Sequence, residues 1–214
     1  MPNVKVAIVD YGLGNIFSIE RAVRHAGGDP LITADRREIE KADRIILPGV
    51  GAFGDGINGL KHKGLDKMLA DCARSGKMIF GICLGMQLMM TNSEEFGFNE
   101  GLDLIPGKVI RFPDPERNNP KYKVPHVGWN VISGDWDGSI LSNNAPGEFF
   151  YFVHSYRVIP DRPEHVLAMT EYGGHRFCSV VKKENVLGCQ FHPELSGESG
   201  LKIYREFVKG GNNV

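Results

Sequence analysis

The sequence predicts an α/β fold: a doubly wound, mixed but mostly parallel sheet with helices on both faces, forming a single domain over residues 1–214. Three observations predict it. Short β-branched runs alternate with helical patterns through the first half, and beyond about residue 100 the pattern changes to strands parted by turn residues. A chain of 214 residues also suits one core, burying roughly 70% of its unfolded surface, better than two.

Taken in order, VKVAIVD (4–10) is a strand, and NIFSIERAVRHAGG then sets Ile16, Ile19, Val23 and Ala26 at helical spacing before Gly27 and Gly28 stop it. DPLIT (29–33), DRIILPG (43–49) and GKMIFGI (76–82) are further strands, with a helix-compatible segment from Leu60 to Arg74 between the last two. LDLIPGKVIRF, VPHVGWNVI, GEFFYFVHSYRVI, HVLAMTEYGG and FCSVVKKENVLGCQFHPE carry the later strands, which makes the sheet mixed. GESGLKIYREFVKGG closes the chain with an amphipathic helix. PDPERNNPKYK (113–123) is a polar, proline-rich loop and not a linker, because the strands beyond it could not form a core alone.

With 25 basic and 26 acidic side chains the formal charge is −1, which gives no electrostatic reason to expect a nucleic acid or an anionic membrane as partner. The longest apolar run, Met78 to Met90, is too short and too interrupted by glycine to span a bilayer, and the start shows no signal-type segment. A soluble, cytoplasmic protein is expected. Cys72, Cys83, Cys178 and Cys189 have no CxxC or metal-type spacing and read as free thiols. His25, His62, His126, His165 and His175 lack paired ligand spacing, so no metal is expected and these side chains read as surface or interface groups. YGLGN (11–15) imitates the start of a dinucleotide fingerprint but lacks its third glycine and a suitable acid, so no cofactor is expected either.

The chemistry centres on FGICLGMQLMM (80–90). There Gly81 and Gly85 flank Cys83 where the strand MIFGI turns into a helix beginning near Leu84 and Gly85. That is a nucleophile elbow, which needs unhindered backbone and stands at the carboxyl end of a strand, where α/β sheets hold reactive groups. The unpaired N–H groups of the helix start favour a thiolate over a thiol. Cys72, Cys178 and Cys189 lack this setting and read as small buried hydrophobes. In CQFHPELS, His192 and Glu194 are two residues apart, so an extended chain points both to one face, and Pro193 keeps His192 out of helical conformation. An imidazole oriented by a carboxylate is the base such a cysteine needs. LPGVGAFGDG (47–56) follows a strand with four glycines in eight residues, letting backbone N–H groups turn toward a developing negative charge.

PGVGAF, GICLGMQLM, FVHSY and QFHPE, in that order and at these separations, resemble the class I (triad-type) glutamine amidotransferases, whose fold is flavodoxin-like. Within that class DYGLGNIFSIERAV, LPGVGAFGDG, VPHVGWN and YFVHSY resemble the glutaminase subunits of imidazole glycerol phosphate synthases, from about Val4 to Val208. The resemblance implies hydrolysis of L-glutamine to glutamate and ammonia by Cys83, His192 and Glu194 through a γ-glutamyl thioester. It also implies a heterodimer with a (β/α)8-barrel cyclase subunit. Ammonia would reach the cyclase through a tunnel, giving imidazole glycerol phosphate and an aminoimidazole carboxamide ribotide in histidine biosynthesis. Matching positions put oxyanion donors on Leu84 and the Val50–Gly51 peptide, and substrate contacts on Gly51, Gln87, Ser155 and Tyr156. The docking face falls on Asn15, His126, Val127, Trp129, Tyr151 and Leu195, and His154 is structural. Leu195 departs from the pattern, which commonly has a basic residue directly after HPE. The alternative expectation is therefore a paralogue supplying ammonia to another acceptor, such as a sugar amidated in surface polysaccharide synthesis. From the residues alone, a cysteine hydrolase acting without a partner and a non-catalytic binding module also stay open.

Overall fold

Alternating apolar side chains along the first strands set the layers. In β1 (Lys5–Val9), Val6 and Ile8 enter one core while Ala7 and Val9 enter another. β3 (Arg44–Leu47) and β4 (Met78–Ile82) repeat the split, with Ile46 and Phe80 on the first side and Ile45 and Ile79 on the second. Strands that are apolar on both faces must be covered on both. α1 (Ile16–His25) and α6 (Gly197–Lys209) cover the first face with Ile19, Val23, Ile203 and Phe207. α2 (Arg36–Lys41), α3 (Phe53–His62) and α4 (Leu65–Arg74) cover the second with Ile39, Phe53, Leu60 and Leu69. The computed structural model describes residues 3–114 and 122–210, so most of the loop expected at 113–123 lies outside the described residues.

From one edge the main sheet runs β2 (Asp29–Thr33), β1, β3, β4, β13 (Val186–Cys189), β12 (His175–Lys183), β10 (Tyr156–Pro160), β7 (Gly107–Arg111), β5 (Asn92–Ser93) and β6 (Asn99–Glu100), with β11 (Val166–Tyr172) also against β12. Pairings from β2 to β13 are parallel, and those from β13 through β12 and β10 to β7 are antiparallel. One register matters most for function. β4 and β13 lie side by side in parallel with Gly81 opposite Gly188 and Ile82 opposite Cys189, so the residues that follow each strand emerge at the same rim. Cys83 follows one strand, and Gln190 to His192 follow the other.

The segment expected as one helix from Leu60 to Arg74 is two helices, α3 and α4, parted at Gly64, which adopts φ +65° and ends the first helical ladder. β8 (His126–Val131) and β9 (Phe149–His154) do not join the main sheet; they pair only with each other, as an antiparallel ribbon. The ribbon's inner face lays Phe150 and Phe152 on the first core. Its outer face sets Val127 opposite Val153, Trp129 opposite Tyr151 and Val131 opposite Phe149. Among the described residues no helix is long and apolar enough to cross a membrane. Nor could any group of three or more His, Cys, Asp or Glu side chains among them hold a metal ion.

Candidate active site

Cys83 sits between β4 and α5 (Leu84–Leu88) with φ 53° and ψ −110°, a conformation that costs a non-glycine residue about 1–3 kcal/mol and persists only where the surroundings enforce it. The enforcement is visible. Cys83 N–H donates to the Cys189 carbonyl at 2.8 Å, and the flanking glycines admit no side chain. A Cβ on Gly85 would lie 1.9 Å from the Leu47 carbonyl oxygen, and one on Gly81 would lie 2.8 Å from the backbone of Gly85 and Met86. The glycines are therefore required by close approach of neighbouring chain, and the strained dihedral falls on the cysteine itself.

His192 Nδ1 donates to Glu194 Oε1 at 2.8 Å, with the two side chains 4% and 0% exposed. The spacing argument reaches this pair by a different route from the one expected. Pro193–Leu195 is a 3-10 turn, not extended chain, and the turn folds the carboxylate back under the imidazole. Asn15 Nδ2 also donates to Glu194 Oε1, at 3.4 Å. The other ring nitrogen, His192 Nε2, is buried without a formed hydrogen bond, and His192 and Cys83 line one cavity. Burial alone would lower the His192 midpoint, but the neighbouring Cys83 sulfur and the Glu194 carboxylate outweigh it and raise it to about 10. The His192 backbone is tied to the ribbon: its N–H donates to the Tyr151 carbonyl at 2.9 Å, and Ser196 Oγ bridges the His192 carbonyl and the Tyr151 N–H.

Both groups open on a cavity of about 570 Å³ whose wall includes Val50, Gly51, Leu84, Gln87, Ser155 and Tyr156. The loop after β3 is anchored at one end and free at the other. Tyr11 Oη donates to the Pro48 carbonyl at 2.7 Å, and a Cβ on Gly49 would press within 2.8 Å of Leu84, Tyr11 and Gly85. Val50 is exposed, and Gly51, at φ +101°, has open space where a side chain would project. Leu84 opens α5, so its N–H is one of the first-turn donors that no helical carbonyl claims.

Sequence reasoning missed three polar groups here, one buried behind the sulfur and two in the cavity wall. Gln190 is fully buried, and its Nε2 lies 3.6 Å from the Cys83 sulfur. Its signal was a polar residue inside the apolar run VLGCQF. Glu95 and Arg111 also reach the wall, with Glu95 Oε2 accepting from Phe53 N–H at 2.6 Å and its carboxyl pushed up by burial. No local pattern marks either one. The remaining cysteines are buried, and burial drives the Cys178 thiol up to about 12 and Cys72 and Cys189 upward as well.

The expected docking residues divide. Val127 and Trp129 are 55% and 56% exposed and Leu195 is exposed, while Tyr151 is half-buried beside Trp129. Asn15 lies beneath Glu194, as described. His126 is a correction: it is buried, stacked between Phe152 and Tyr172, with Nδ1 3.1 Å from His154 Nε2. The strand alternation that exposes Val127 and Trp129 turns His126 inward. His165 is likewise buried and not at the surface.

The pattern that defines the family "Glutamine amidotransferase class-I" matches residues 7–210. "Imidazole glycerol phosphate synthase subunit HisH" of Methanosarcina mazei is 48% identical over 206 residues, covering 96% of this chain and 98% of that relative. HisH 1 of Legionella pneumophila (strain Paris) is 45% identical and HisH of Chlorobaculum tepidum 40%, each covering 95% of this chain and 98% or more of the relative. Among solved structures, PurLQS from Thermotoga maritima superposes with a TM-score of 0.74 at 20% identity, covering 97% of this chain and 98% of that one, which shows the shared fold. The chain therefore belongs to the class I glutamine amidotransferases, in the branch of the HisH subunits of imidazole glycerol phosphate synthase.

Proposed function

We propose that the chain, working as a single domain, hydrolyses L-glutamine to glutamate and ammonia with Cys83, His192 and Glu194, and delivers the ammonia to a (β/α)8-barrel cyclase subunit. Imidazole glycerol phosphate and an aminoimidazole carboxamide ribotide are the products of the assembled enzyme, in histidine biosynthesis. The sulfur attacks the amide carbon with its proton already resting on His192 Nε2, the position the raised midpoint favours, and Glu194 holds Nδ1–H so that Nε2 is the nitrogen presented to the sulfur. The tetrahedral oxyanion rests on the Leu84 N–H and the Val50–Gly51 peptide, each such donor being worth about 3 kcal/mol. On collapse His192 gives its proton to the departing amide nitrogen, which leaves as ammonia, and the now neutral imidazole activates the water that cleaves the remaining thioester to glutamate. Gln87, Ser155, Tyr156 and Gly51 hold the substrate. Glu95 and Arg111 add one carboxylate and one guanidinium, the complement of an amino acid's ammonium and carboxylate.

The observation that carries this reading is the 2.8 Å Nδ1–carboxylate bond beside a strained cysteine, with the imidazole and the cysteine lining one cavity. The exposed outer face of the ribbon, with Leu195, supports docking of the barrel there. The acceptor is the cyclase of the synthase, following the relatives' names, so the alternative of sugar amidation is set aside despite Leu195. The biosynthetic role supports a cytoplasmic site of action. The test is an ammonia-transfer assay with amide-15N glutamine and the purified pair of subunits. Label is expected in imidazole glycerol phosphate; label released only as free ammonium, with product formed from unlabelled ammonia, would overturn the channelling.

A further inference from the structure

We propose that the buried side chain of Gln190 belongs to the glutaminase machinery: it donates a hydrogen bond to the Cys83 sulfur, and a chain of oriented groups running back to the Tyr156 carbonyl sets the direction of that bond.

The chain starts at an atom that can only accept. The Tyr156 carbonyl oxygen lies 2.7 Å from His154 Nδ1 and 3.3 Å from Gln87 Nε2, so both nitrogens must donate to it. Nδ1 of His154 therefore carries its hydrogen. The amide of Gln87 is fixed with its NH2 on that side, and the second N–H of the same nitrogen meets Gln190 Oε1 at 3.0 Å. Gln190 must present oxygen there, so its NH2 is the end that lies 3.6 Å from the Cys83 sulfur. Rotating the Gln190 amide by half a turn would set NH2 against NH2 at one end and a carbonyl against sulfur at the other. With Gln190 0% exposed, bulk water does not reach either clash.

The consequence is chemical. A sulfur that accepts from an amide is held with its own proton free to leave only toward His192, and a hydrogen bond to the sulfur strengthens as charge develops on it. The electron pair stays on sulfur while the proton passes to Nε2. The same chain leaves the Gln87 oxygen to the cavity, where an incoming amide's N–H can meet it. His154 is also drawn in, as the imidazole that helps hold the Tyr156 carbonyl in place, a positioning residue acting through Gln87 and Gln190. Its burial, which pushes its midpoint down to about 3, keeps it neutral and its tautomer constant.

This inference rests on Cys83 as the nucleophile, and the experiment separates the two. In the full chain paired with its barrel partner, the rate of Cys83 alkylation by iodoacetamide is followed across about pH 5 to 9, together with glutaminase kcat and KM, for the unsubstituted chain, Gln190→Glu and Gln190→Met. Gln190→Met removes the donor to sulfur without adding charge and is the deciding variant, while Gln190→Glu keeps the acceptor for Gln87 and the shape but puts a carboxyl beside the sulfur, and serves as the comparison. Alkylation at neutral pH and kcat are each expected to fall about tenfold or more, with the alkylation profile displaced to higher pH and KM within about threefold. A merely structural glutamine would lower the melting temperature without moving that profile. Folded variants with the unsubstituted profile and kcat would overturn the inference. Should neither variant fold, the side-chain NH2 resonances of Gln190 in the 15N-labelled chain decide: they are expected to move on Cys83→Ala, and unmoved resonances would overturn it. Full glutaminase activity after complete Cys83 alkylation would instead sink the nucleophile assignment.

Discussion

The rim where β4 and β13 end and the outer face of the β8–β9 ribbon are built on opposite terms. At the rim, Cys83, Gln190 and His192 are each less than 8% exposed, and their polar atoms are aimed by backbone and carboxylate partners. On the ribbon, Val127, Trp129 and Phe149 are each more than half exposed, with apolar residues facing one another across the strands. The first region is assembled in the lone chain. The second is apolar surface left exposed among the described residues, and patches of that kind mark interaction sites. The two are not independent, since Tyr151 flanks Trp129 on the ribbon while its backbone holds that of His192 and bonds Ser196.

The largest effect expected from breaking this contrast is at the rim. Cys83→Ala removes the nucleophile and should cut glutaminase turnover by about 10⁴-fold or more, with unchanged affinity for the barrel partner in a binding titration. Comparable loss of binding would show that the two regions cannot be separated. Next comes Gly85→Ala, whose methyl group meets the Leu47 carbonyl at 1.9 Å; it should lower unfolding free energy by about 3 kcal/mol or more, read from urea melts. A third substitution reverses the pattern: Trp129→Ala should weaken barrel docking by about 2 kcal/mol in calorimetry and shift the melting temperature of the lone chain by no more than about 2 °C. Weak docking that is indifferent to Trp129 would move the interface elsewhere.

The smallest effect near neutral pH belongs to the seam between the regions, where His126 and His154 meet beneath the ribbon. Burial lowers their midpoints from 6.5 to about 4 and about 3. Both are neutral when folded and protonate more readily when unfolded, so their contribution to stability is complete above pH 6.5 and is lost as pH falls toward those lower values. Urea melts at stepped pH should show stability declining below pH 6.5, and His126→Phe should flatten the decline. An equal slope in that variant would place the acid sensitivity elsewhere.

What could be read in the sequence follows from how local its cause is. The elbow at Cys83 announces itself through Gly81 and Gly85, which flank it in sequence, although the carbonyl that crowds Gly85 comes from Leu47 on the neighbouring strand. His192 and Glu194 meet for a local reason, although a 3-10 turn and not extended chain brings them together. β1, β3 and β4 were legible because both faces are apolar over several residues, whereas β5 and β6, two residues each, are too short to carry any alternation. Departure of β8 and β9 from the main sheet was invisible for the opposite reason: HVGWNV and FFYFVH alternate like any sheet strand, and which sheet they join depends on contacts distant in sequence. The same non-local cause hid Gln190, whose partners Gln87 and Cys83 are 103 and 107 residues away. His126 was expected on the docking face from its match to the family pattern, and the alternation of its strand, which exposes Val127 and Trp129, turns it inward.

The central claim is that one sulfur, held between Gln190 and His192 at the rim, does the chemistry. It is tested most directly by treating the chain and its barrel partner with 6-diazo-5-oxo-norleucine and mapping the adduct by mass spectrometry. One adduct per chain on Cys83, none on Cys72, Cys178 or Cys189, and loss of glutaminase activity in step with labelling is the predicted result. Activity lost while Cys83 remains unmodified, or labelling of Cys83 that leaves turnover intact, would contradict it.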